Sequence, residues 1–268
     1  MTKEKGTVGV RQLLSICIVA YNNYDQIKTA LASIERNTSP TIDKKIFISD
    51  NSESHVDRTS FLEFISEYDD IEYIDNQANL GFGKGHNVVK DIIESDYHAI
   101  VNPDVEIFDD AFASILAFMS NSPDVGMVIP RIISADGELQ DSYRAVPTVL
   151  DMFIRMFCKK HFLKRQAEHS LKHMDFTKPF QVPFAQGCFL VIRTELFKKL
   201  GGFDDRFFMY MEDADLSRRV NQQSSVMYFP EATVVHAWER ASHKSKKLFK
   251  IHVNSMLKYF CKWGWKLF

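Results

Sequence analysis

The sequence predicts an α/β fold whose central sheet is mostly parallel in its N-terminal half and mixed in its C-terminal half. Three observations predict it: strand-like and helix-like segments alternate over the first hundred residues, polar residues follow the apolar runs, and a glycine-rich turn precedes a helix-like segment. Each return between strands passes through a helix, and such crossovers join parallel strands. We therefore expect helices packed on the faces of one sheet.

Apolar runs rich in Val and Ile predict the strands of the N-terminal half, and apolar residues at helical spacing predict the helices between them. The first helix, for example, has Ile27, Leu31 and Ile34 on one face. The predicted strands cover 13–20, 45–49, 71–74 and 98–101, and the predicted helices cover 25–36, 58–68, 110–121 and a segment from the glycine-rich turn through Glu94.

Beyond residue 121 the alternation becomes irregular. Asp136-Gly137 predicts the turn of a hairpin. Thr194 predicts the cap of a short helix, and Gly201-Gly202 predicts where this helix ends. Pro230 separates two short β segments. The remaining predicted elements are strands at 125–129, 186–192, 226–229 and 233–237, a hairpin at 132–139, and a helix that begins near Glu212.

The composition argues against several classes of protein. The chain has 268 residues, 45% of them hydrophobic and 25% charged, and a formal net charge of −2, which is typical of a globular protein and not of a general nucleic-acid binder. Its four cysteines form no CxxC pair, which indicates reduced thiols and the cytosol. The apolar run at 13–20 is too short to span a bilayer.

Asp104 is the first candidate site residue. The strand at 98–101 ends in Asn102-Pro103-Asp104, because Pro103 lacks the N–H that a strand needs. In open α/β sheets, ligands lie outside the carboxyl ends of the strands. The carboxylate of Asp104 is therefore expected to face a binding crevice and not the core.

Two other strand ends predict ligand contacts. The glycines within Asn79–Asn87 permit close approach of a ligand and the helix start favours an anion, although a flexible turn explains the same glycines. Asp50 ends the second predicted strand, where it either caps a turn or hydrogen-bonds a nucleobase or ribose.

Acidic residues crowd the start of the predicted helix at Glu212. Glu212, Asp213 and Asp215 lie in its first turn, where the helix dipole stabilises each charge by about 0.3 to 1 kcal/mol, which is a purely structural explanation. The aromatic residues before them favour a general base, since apolar neighbours raise a carboxyl pKa. His236 ends the last predicted strand and is either a structural histidine or a ligand.

Two segments mix aromatic and basic side chains. The segment 148–178 fits an exposed flap against a membrane surface or an anionic acceptor, and equally an ordinary surface helix with a core-facing stripe. The segment from Arg240 carries eight Lys or Arg and no acid, interleaved with aromatic residues that include Trp263 and Trp265. Such a helix suits the surface of an anionic bilayer.

Taken in order, these motifs resemble the inverting family-2 glycosyltransferases, which have the Rossmann-like GT-A fold. The resemblance covers about residues 13–260. Asn102-Pro103-Asp104 and the block 210–216 are also similar to bacterial rhamnosyltransferases of O-antigen and capsule assembly. The matching segments are Ser15–Asn22, Asp50–Ser52, Asn79–Asn87, Asn102–Asp104, the strand at Gly187, Gly202–Asp204, Met211–Asp213 and His236.

The resemblance implies a single GT-A domain over residues 1–268. Residues 13–130 would bind the nucleotide sugar, 131–239 would hold the acceptor and the catalytic base, and 240–268 would form a helix near the membrane. The nucleotide pocket would be lined by Ala20, Tyr21, Asn22, Asp50, Asn51, Asn79, Gly81, Phe82, Gly83 and Asn102.

The catalytic roles come from the same resemblance. Asp104 would hold Mg²⁺ or Mn²⁺ on the donor diphosphate, with His236 as a further ligand. The metal motif of the family usually has two carboxylates, and Asn102 replaces the first. The catalytic residues would be Asp213, as the base, and Glu212, and the residues that position the acceptor or the helix would be Glu212, Asp215 and Gly187.

The implied activity is inverting transfer of L-rhamnose from dTDP-rhamnose to a lipid-diphosphate-linked saccharide in the synthesis of cell-surface polysaccharides. The enzyme would lie at the inner face of the cytoplasmic membrane. Three alternatives stay open: a UDP-hexose or furanose donor on the same fold, a non-catalytic module that binds a nucleotide sugar or polysaccharide, and a nucleotidyltransferase. The last is disfavoured because no basic, glycine-rich triphosphate signature lies near the N-terminus.

Overall fold

The computed structural model describes residues 12–54, 56–158, 160–237 and 245–268. Within these ranges the strands are β1 (Gln12–Ala20), β2 (Ile42–Asp50), β3 (Ile71–Asp75), β4 (Tyr97–Val101), β5 (Val105–Ile107), β6 (Val125–Ile133), β7 (Tyr143–Arg144), β8 (Phe180–Gln181), β9 (Phe184–Ala185), β10 (Phe189–Arg193) and β11 (Ser225–His236). The helices are α1 (Tyr24–Asn37), α2 (Arg58–Ile65), α3 (Phe82–Asn87), α4 (Ala111–Asn121), α5 (Val149–Phe157), α6 (Leu163–His169), α7 (Thr194–Lys199), α8 (Glu212–Asn221) and α9 (Lys246–Trp263).

One large sheet organises the chain, with the strand order β3-β2-β1-β4-β10-β6-β11-β5 and with β8 also paired to β11. The first four strands of the chain run parallel, as their helical crossovers predict. β10 lies antiparallel between β4 and β6, whereas β11 is parallel to β6 and antiparallel to β5. The predicted parallel half and the predicted mixed half are both confirmed. A separate small sheet pairs β7 with β9.

The register of the parallel half brings several strand ends to one edge of the sheet. Ala20 at the end of β1 lies opposite Asp50, and Asp50 lies opposite Asp75 at the end of β3. Ile18 lies opposite Val101, the last residue of β4. The residues that follow these strand ends are Tyr21, Asn51, Asn76 and Asn102.

Burial explains why these segments form strands and helices. All five residues of β4 are buried, as expected for a central strand whose two faces are both covered. α1 buries Ile27, Ala30, Leu31 and Ile34, which is the stripe that helical spacing predicts. Each fully buried Ile or Leu side chain stabilises the fold by about 1.5 to 3 kcal/mol.

Three predicted helices have different boundaries in the structure. α2 ends at Ile65 and does not reach Tyr68. α3 ends at Asn87 and does not run through Glu94, because the Asn87 side chain binds the backbone N–H and carbonyl of Phe203 and the chain then turns. Thr194 is the first residue of α7 and not its cap. Its hydroxyl lies 3.1 Å from that of Ser95, which ties α7 to the turn before β4.

The two short β segments predicted around Pro230 form one continuous strand, β11. A register shift against β6 between Phe229 and Thr233 accommodates the proline. The predicted hairpin is confirmed by an antiparallel bridge between Ile133 and Leu139.

The C-terminal helix α9 is tied to α8 through Asp215, which is fully buried. Asp215 accepts hydrogen bonds from Trp263 Nε1 at 2.8 Å and Arg219 Nε at 2.7 Å, and it also pairs with Lys262. These contacts favour a helix-positioning role for Asp215, and a role toward an acceptor stays a prediction. The expected start of the basic segment at Arg240 lies outside the described residues.

The predicted flap at 148–178 contains two short surface helices, α5 and α6. α5 buries Met152 and Ile154 but leaves Phe153 and Phe157 exposed, so it has both the core-facing stripe and the exposed aromatic residues that the sequence predicted. Of the helices that the structure describes, none combines the length and the apolar character needed to cross a bilayer.

Candidate active site

Asp50 is buried at the end of β2 and organises this edge of the sheet. Its Oδ2 accepts hydrogen bonds from the hydroxyls of Tyr24, at 2.6 Å, and Tyr73. Its Oδ1 accepts the backbone N–H of Ser52 at 2.8 Å, which is the turn-capping role that the sequence offered as an alternative. The carboxylate is thus fully hydrogen-bonded within the protein and makes the strand end rigid.

The turn after β1 is joined to the turn after β2. The carbonyl of Ala20 accepts the N–H of Asn51 at 2.9 Å. Asn22 adopts a φ of +55° and donates its N–H to Ser52 Oγ at 2.8 Å. The Tyr21 side chain projects from this junction and is 45% exposed, so it is available to a ligand above the sheet edge.

The glycine-rich turn is anchored, which disfavours the flexible-turn interpretation. Asn51 Nδ2 donates to the carbonyl of Gly81 at 2.9 Å, and the N–H of Gly81 donates to Asn79 Oδ1 at 3.0 Å. Gly81 has a φ of +83°, and a Cβ there would lie 2.0 Å from the carbonyl oxygen of Phe208. Glycine meets both constraints, so the turn forms a fixed wall beside the strand ends.

Phe82 and Gly83 bring this turn against the start of β10 and against α8. A Cβ on Gly83 would lie 2.9 Å from Cβ of Phe203. A Cβ on Gly187 would lie 3.3 Å both from the Phe82 ring and from Cβ of Asp213. The glycine-rich turn and the acidic helix therefore meet at Gly187.

Asp104 and His236 meet beyond the ends of β4 and β11. His236 Nε2 lies 3.3 Å from Asp104 Oδ1 and 3.5 Å from Asn102 Nδ2. Gln140 contacts the histidine on its other side. Oε1 of Gln140 lies 3.0 Å from Nδ1 of His236, and Nε2 of Gln140 donates to the backbone carbonyl of His236 at 2.7 Å. Burial disfavours the charged imidazole, but Cys188 and Asp104 outweigh that effect and raise the pKa of His236 to about 10.

The residues around Asp104 fit a divalent cation that a substrate completes. Asp104 offers a carboxylate, and Asn102 offers an amide where a second carboxylate would stand. His236 offers a ring nitrogen only after it loses the proton that Cys188 and Asp104 stabilise, so a bound cation would have to displace that proton. In the described part of the chain, no three His, Cys, Asp or Glu side chains converge as a metal-binding group. Mg²⁺ is usually held by one or two carboxylates together with waters and substrate phosphates, so a sparse protein set suits it.

Gly187 and Cys188 connect this pair to the acidic helix. The N–H of Asn102 donates to the carbonyl of Cys188 at 2.8 Å, and the thiol of Cys188 interacts with His236. The N–H of Gly187 donates to Asp213 Oδ2 at 3.1 Å. Adjacent residues of one segment thus contact the candidate metal site and the candidate base.

Two carboxyl groups at the acidic helix start, those of Glu212 and Asp213, have different surroundings. Glu212 is 4% exposed, and its Oε2 has no hydrogen-bond partner among the residues that the structure describes. Burial, followed by the charge of Asp213, raises the pKa of Glu212 to about 8. Burial also raises the pKa of Asp213, but the N–H groups of Gly187 and Ala214 and the charge of Arg144 oppose it. The N–H groups of Gly187 and Ala214 and the charge of Arg144 therefore favour ionisation of Asp213 over that of Glu212.

The sequence analysis missed Gln140 and Arg144. Gln140 holds His236 from 96 residues away, and Arg144 Nη2 donates to Gln186 Oε1 from 42 residues away. No local pattern marks either residue, because each acts through a partner that only the fold brings near. The feature that marks Arg144 is its burial, since it is only 8% exposed. Burial is unusual for an arginine, but the sequence does not reveal it.

A parallel half-sheet whose strand ends meet an acidic helix start is characteristic of glycosyltransferases with the GT-A fold. The family is narrower than the fold: residues 15–201 match glycosyl transferase family 2, and the chain belongs to it. The resemblance inferred from the motifs is confirmed, and the protein is a glycosyltransferase. This assignment disfavours the binding module and the nucleotidyltransferase.

Curated relatives of this chain include two proteins named as rhamnosyltransferases. The chain is 26% identical over 238 residues to N-acetylglucosaminyl-diphospho-decaprenol L-rhamnosyltransferase of Mycobacterium tuberculosis, covering 84% of this chain and 76% of that one. It is 22% identical over 264 residues to rhamnosyltransferase WbbL of Escherichia coli, covering 93% of each. It is 26% identical to the low-salt glycan biosynthesis hexosyltransferase Agl10 of Haloferax volcanii, covering 79% of this chain and 62% of that one.

Solved structures confirm the GT-A fold. GalNAc-T7 with UDP, GalNAc and Mn²⁺ superimposes with a TM-score of 0.67 at 15% identity, covering 85% of this chain and 44% of that one. The mannosyltransferase PcManGT of Pyrobaculum calidifontis with GDP-Man and Mn²⁺ superimposes with a TM-score of 0.66 at 15% identity, covering 94% of this chain and 65% of that one. This chain spans less than two thirds of either solved chain.

Replacing Glu212 by Gln should change how stability depends on pH. The pKa of Glu212 in the folded state, about 8, lies above the usual value of about 4.3, so the folded protein binds the extra proton. Stability therefore falls as pH rises from about 5 to about 8, by up to a few kcal/mol through this group. Urea unfolding at both pH values should show a smaller fall for Glu212→Gln than for wild type.

The control for this prediction is Glu63→Gln, which alters an exposed glutamate on α2 and should follow wild type. Equal pH dependence in Glu212→Gln and wild type would show that Glu212 is ionised in the folded protein.

Proposed function

We propose that the protein transfers L-rhamnose from dTDP-rhamnose to a lipid-diphosphate-linked saccharide by a single inverting displacement, in the synthesis of a cell-surface polysaccharide such as O-antigen or capsule. The observation that carries the proposal is the Gly187-Cys188 segment, which contacts Asp213 on one side and the Asp104–His236 pair on the other. Two relatives named as rhamnosyltransferases support the sugar. The diphospho-decaprenol in the name of the mycobacterial relative supports a lipid-linked acceptor.

Asp213 is the proposed general base. It would take the proton of the acceptor hydroxyl as that oxygen attacks the anomeric carbon, while the bond from that carbon to the diphosphate breaks on the opposite face. The N–H groups of Gly187 and Ala214 orient the carboxylate, and the neutral Glu212 adds no repelling charge. A positioned base typically contributes about 10²- to 10⁴-fold. The configuration inverts without a covalent intermediate on the protein.

Asp104 and His236 are the proposed ligands of Mg²⁺ or Mn²⁺, with Asn102 beside them. Such a cation, when bound, stabilises the negative charge that develops on the leaving diphosphate. The Mn²⁺ in the structures of GalNAc-T7 and PcManGT supports this use of the site. Asn102 in place of a carboxylate leaves the protein set less negative, which makes the substrate diphosphate a larger part of the coordination.

The donor nucleotide would lie over the sheet edge of the N-terminal half, 13–130, and the acceptor over 131–239. The exposed Tyr21 ring offers a surface for the base, and Gly81 permits close approach of the backbone to a phosphate. The rigid wall that supports both would be formed by Ala20, Asn22, Asp50, Asn51, Asn79, Phe82, Gly83 and Asn102.

The second candidate keeps this mechanism and replaces the donor with a UDP-hexose or a furanose. The relative named hexosyltransferase Agl10 and the UDP in the GalNAc-T7 structure favour it. Both candidates use the same base and the same metal ligands, so the choice of donor separates them.

We further propose that the enzyme binds the inner face of the cytoplasmic membrane through an aromatic face formed by Phe153, Phe157 and Phe249. The centroid of the Phe157 ring lies 5.1 Å from that of Phe153 and 6.3 Å from that of Phe249. The three side chains are 39 to 60% exposed. Residues 245–268 carry six lysines and no acid, which suits an anionic bilayer that also holds the lipid-linked acceptor.

Transfer should be measured with dTDP-rhamnose and prenyl-diphosphate-linked N-acetylglucosamine, with UDP-galactose and UDP-N-acetylglucosamine as competing donors. We expect turnover with dTDP-rhamnose and a loss of about 10²- to 10⁴-fold in kcat for Asp213→Asn, because the base is removed while the pocket is kept. Asp69→Asn, an exposed aspartate in the turn before β3, should match wild type. Turnover with a UDP-sugar alone would favour the second candidate, and undiminished transfer by Asp213→Asn would exclude this base.

Manganese should strengthen nucleotide binding only when Asp104 is present. In calorimetric titrations with dTDP, we expect Mn²⁺ to tighten binding by about tenfold or more, which corresponds to about 1.4 kcal/mol. Asp104→Ala should lose this gain, whereas Asp109→Ala, an exposed aspartate nearby, should keep it. A gain that survives in Asp104→Ala would place the cation elsewhere.

Binding to vesicles should depend on the aromatic face. We expect the protein to sediment with phosphatidylglycerol vesicles, less so at high salt, and the triple variant F153S/F157S/F249S to lose at least about tenfold in affinity, because apolar contact is removed. Phe108→Ser, which alters a 57% exposed phenylalanine after β5, is the control. Equal binding by the triple variant and wild type would refute the assignment of this face.

A further inference from the structure

Arg144 is a buried cation without a carboxylate partner. Its side chain is 8% exposed, and no Asp or Glu in the described ranges lies within ion-pairing distance of it. Both of its hydrogen bonds come from Nη2, to the carbonyl of Asp141 at 3.0 Å and to Gln186 Oε1 at 3.4 Å. A guanidinium has five N–H donors, so these two neutral acceptors leave most of its capacity unused. Burial of a charge that has no ion-pair partner is costly, and a bound anion would offset that cost.

Burial, followed by the charge of Arg155, lowers the pKa of Arg144 to about 9, although Asp213 and Asp141 oppose that shift. His169 is 5% exposed and adds no charge here, because burial lowers its pKa to about 4. The nearest carboxylate, Asp151, lies 3.7 Å from His169 Nδ1 but is already bound by Arg165 Nε at 2.7 Å. The Asp141 carboxylate is paired with a lysine at 3.5 Å. Asp151 and Asp141 are thus engaged by other cations, and among the described residues Asp141 and Asp213 act on Arg144 only from beyond ion-pairing distance.

Arg144 contacts the same short segment that contacts the proposed base and the candidate metal site. Three consecutive residues show the order: Gln186 accepts from Arg144, Gly187 donates to Asp213, and Cys188 contacts His236. The charge of Arg144 reaches Asp213, since it lowers the pKa of that carboxyl. A donor diphosphate held by the metal site would lie at one end of this row, so an anion at Arg144 belongs to the other substrate.

We propose that Arg144 binds the diphosphate of the lipid-linked acceptor and so holds the acceptor sugar with its hydroxyl toward Asp213. This inference rests on the proposed function. Arginine suits the role because its planar fork makes paired hydrogen bonds to phosphate oxygens. The acceptor sugar is attached directly to its diphosphate, so a diphosphate held at Arg144 would bring that sugar toward the base.

Calorimetry on the full chain with farnesyl diphosphate and with farnesol tests the site without turnover. Titrations are made with and without dTDP and Mn²⁺, which occupy the donor site. We expect wild type to bind farnesyl diphosphate under both conditions and farnesol more weakly. Arg144→Gln should lose about 10- to 100-fold in affinity for the diphosphate, the range for a hydrogen-bonded charge, and Arg144→Lys should lose less because it keeps the charge. Arg36→Gln, on the exposed face of α1, should match wild type.

Two results would overturn the proposal: unchanged binding of farnesyl diphosphate by Arg144→Gln, or displacement of farnesyl diphosphate by dTDP, which would place it in the donor site. Binding of dTDP by Arg144→Gln shows that this variant is folded, and the lysine variant tests the charge if the glutamine variant unfolds. Failure of the proposed function is distinct. Diphosphate binding through Arg144 without sugar transfer would refute the transferase assignment alone, and transfer with an unchanged acceptor KM in Arg144→Gln would refute this site alone.

Discussion

The hydrogen bond from the Gly187 N–H to Asp213 is the interaction on which the rest of the site depends. It joins the segment before β10, in the middle of the sheet, to the first turn of α8, and the approach is close: a Cβ at position 187 would lie 3.3 Å from both Asp213 and Phe82. Gln186 and Cys188, on either side of this glycine, contact Arg144 and His236. The proposed metal site, the proposed base and Arg144 thereby all contact one short stretch of backbone.

Three carboxyl groups within one helical turn have three different environments, and this separates their roles. Asp215 is bound by Arg219, Lys262 and Trp263 and fastens α9 to α8. Glu212 is buried, one of its oxygens has no hydrogen-bond partner among the described residues, and burial raises its pKa. Asp213 receives two backbone N–H groups, which favour its ionised form. The helix dipole acts on all three alike, so neighbouring groups, and not the dipole, decide which carboxyl acts as a base.

Local sequence patterns predicted the alternating half of the fold, the edge position of Asp104 and the acidic helix start, because each depends on residues close together in the chain. The predicted length of α3 was wrong, because Asn87 binds Phe203 from 116 residues away. The predicted division of β11 into two strands was also wrong, because a register shift accommodates Pro230 within one strand. The buried Arg144 and the support of His236 by Gln140 also depend on distant partners. The fold class was thus predictable, whereas the groups that tune the site required the tertiary structure.

A crystal structure with dTDP-rhamnose and Mn²⁺ bound tests most directly whether Asp104 and Asp213 act on one sugar. The account predicts Mn²⁺ on Asp104 and His236, the diphosphate on that cation, and the anomeric carbon lying between the diphosphate and the Asp213 carboxylate, with Asp213 on the face opposite the leaving group. A nucleotide sugar bound away from Asp104, or a sugar whose face toward Asp213 carries the diphosphate, would contradict it.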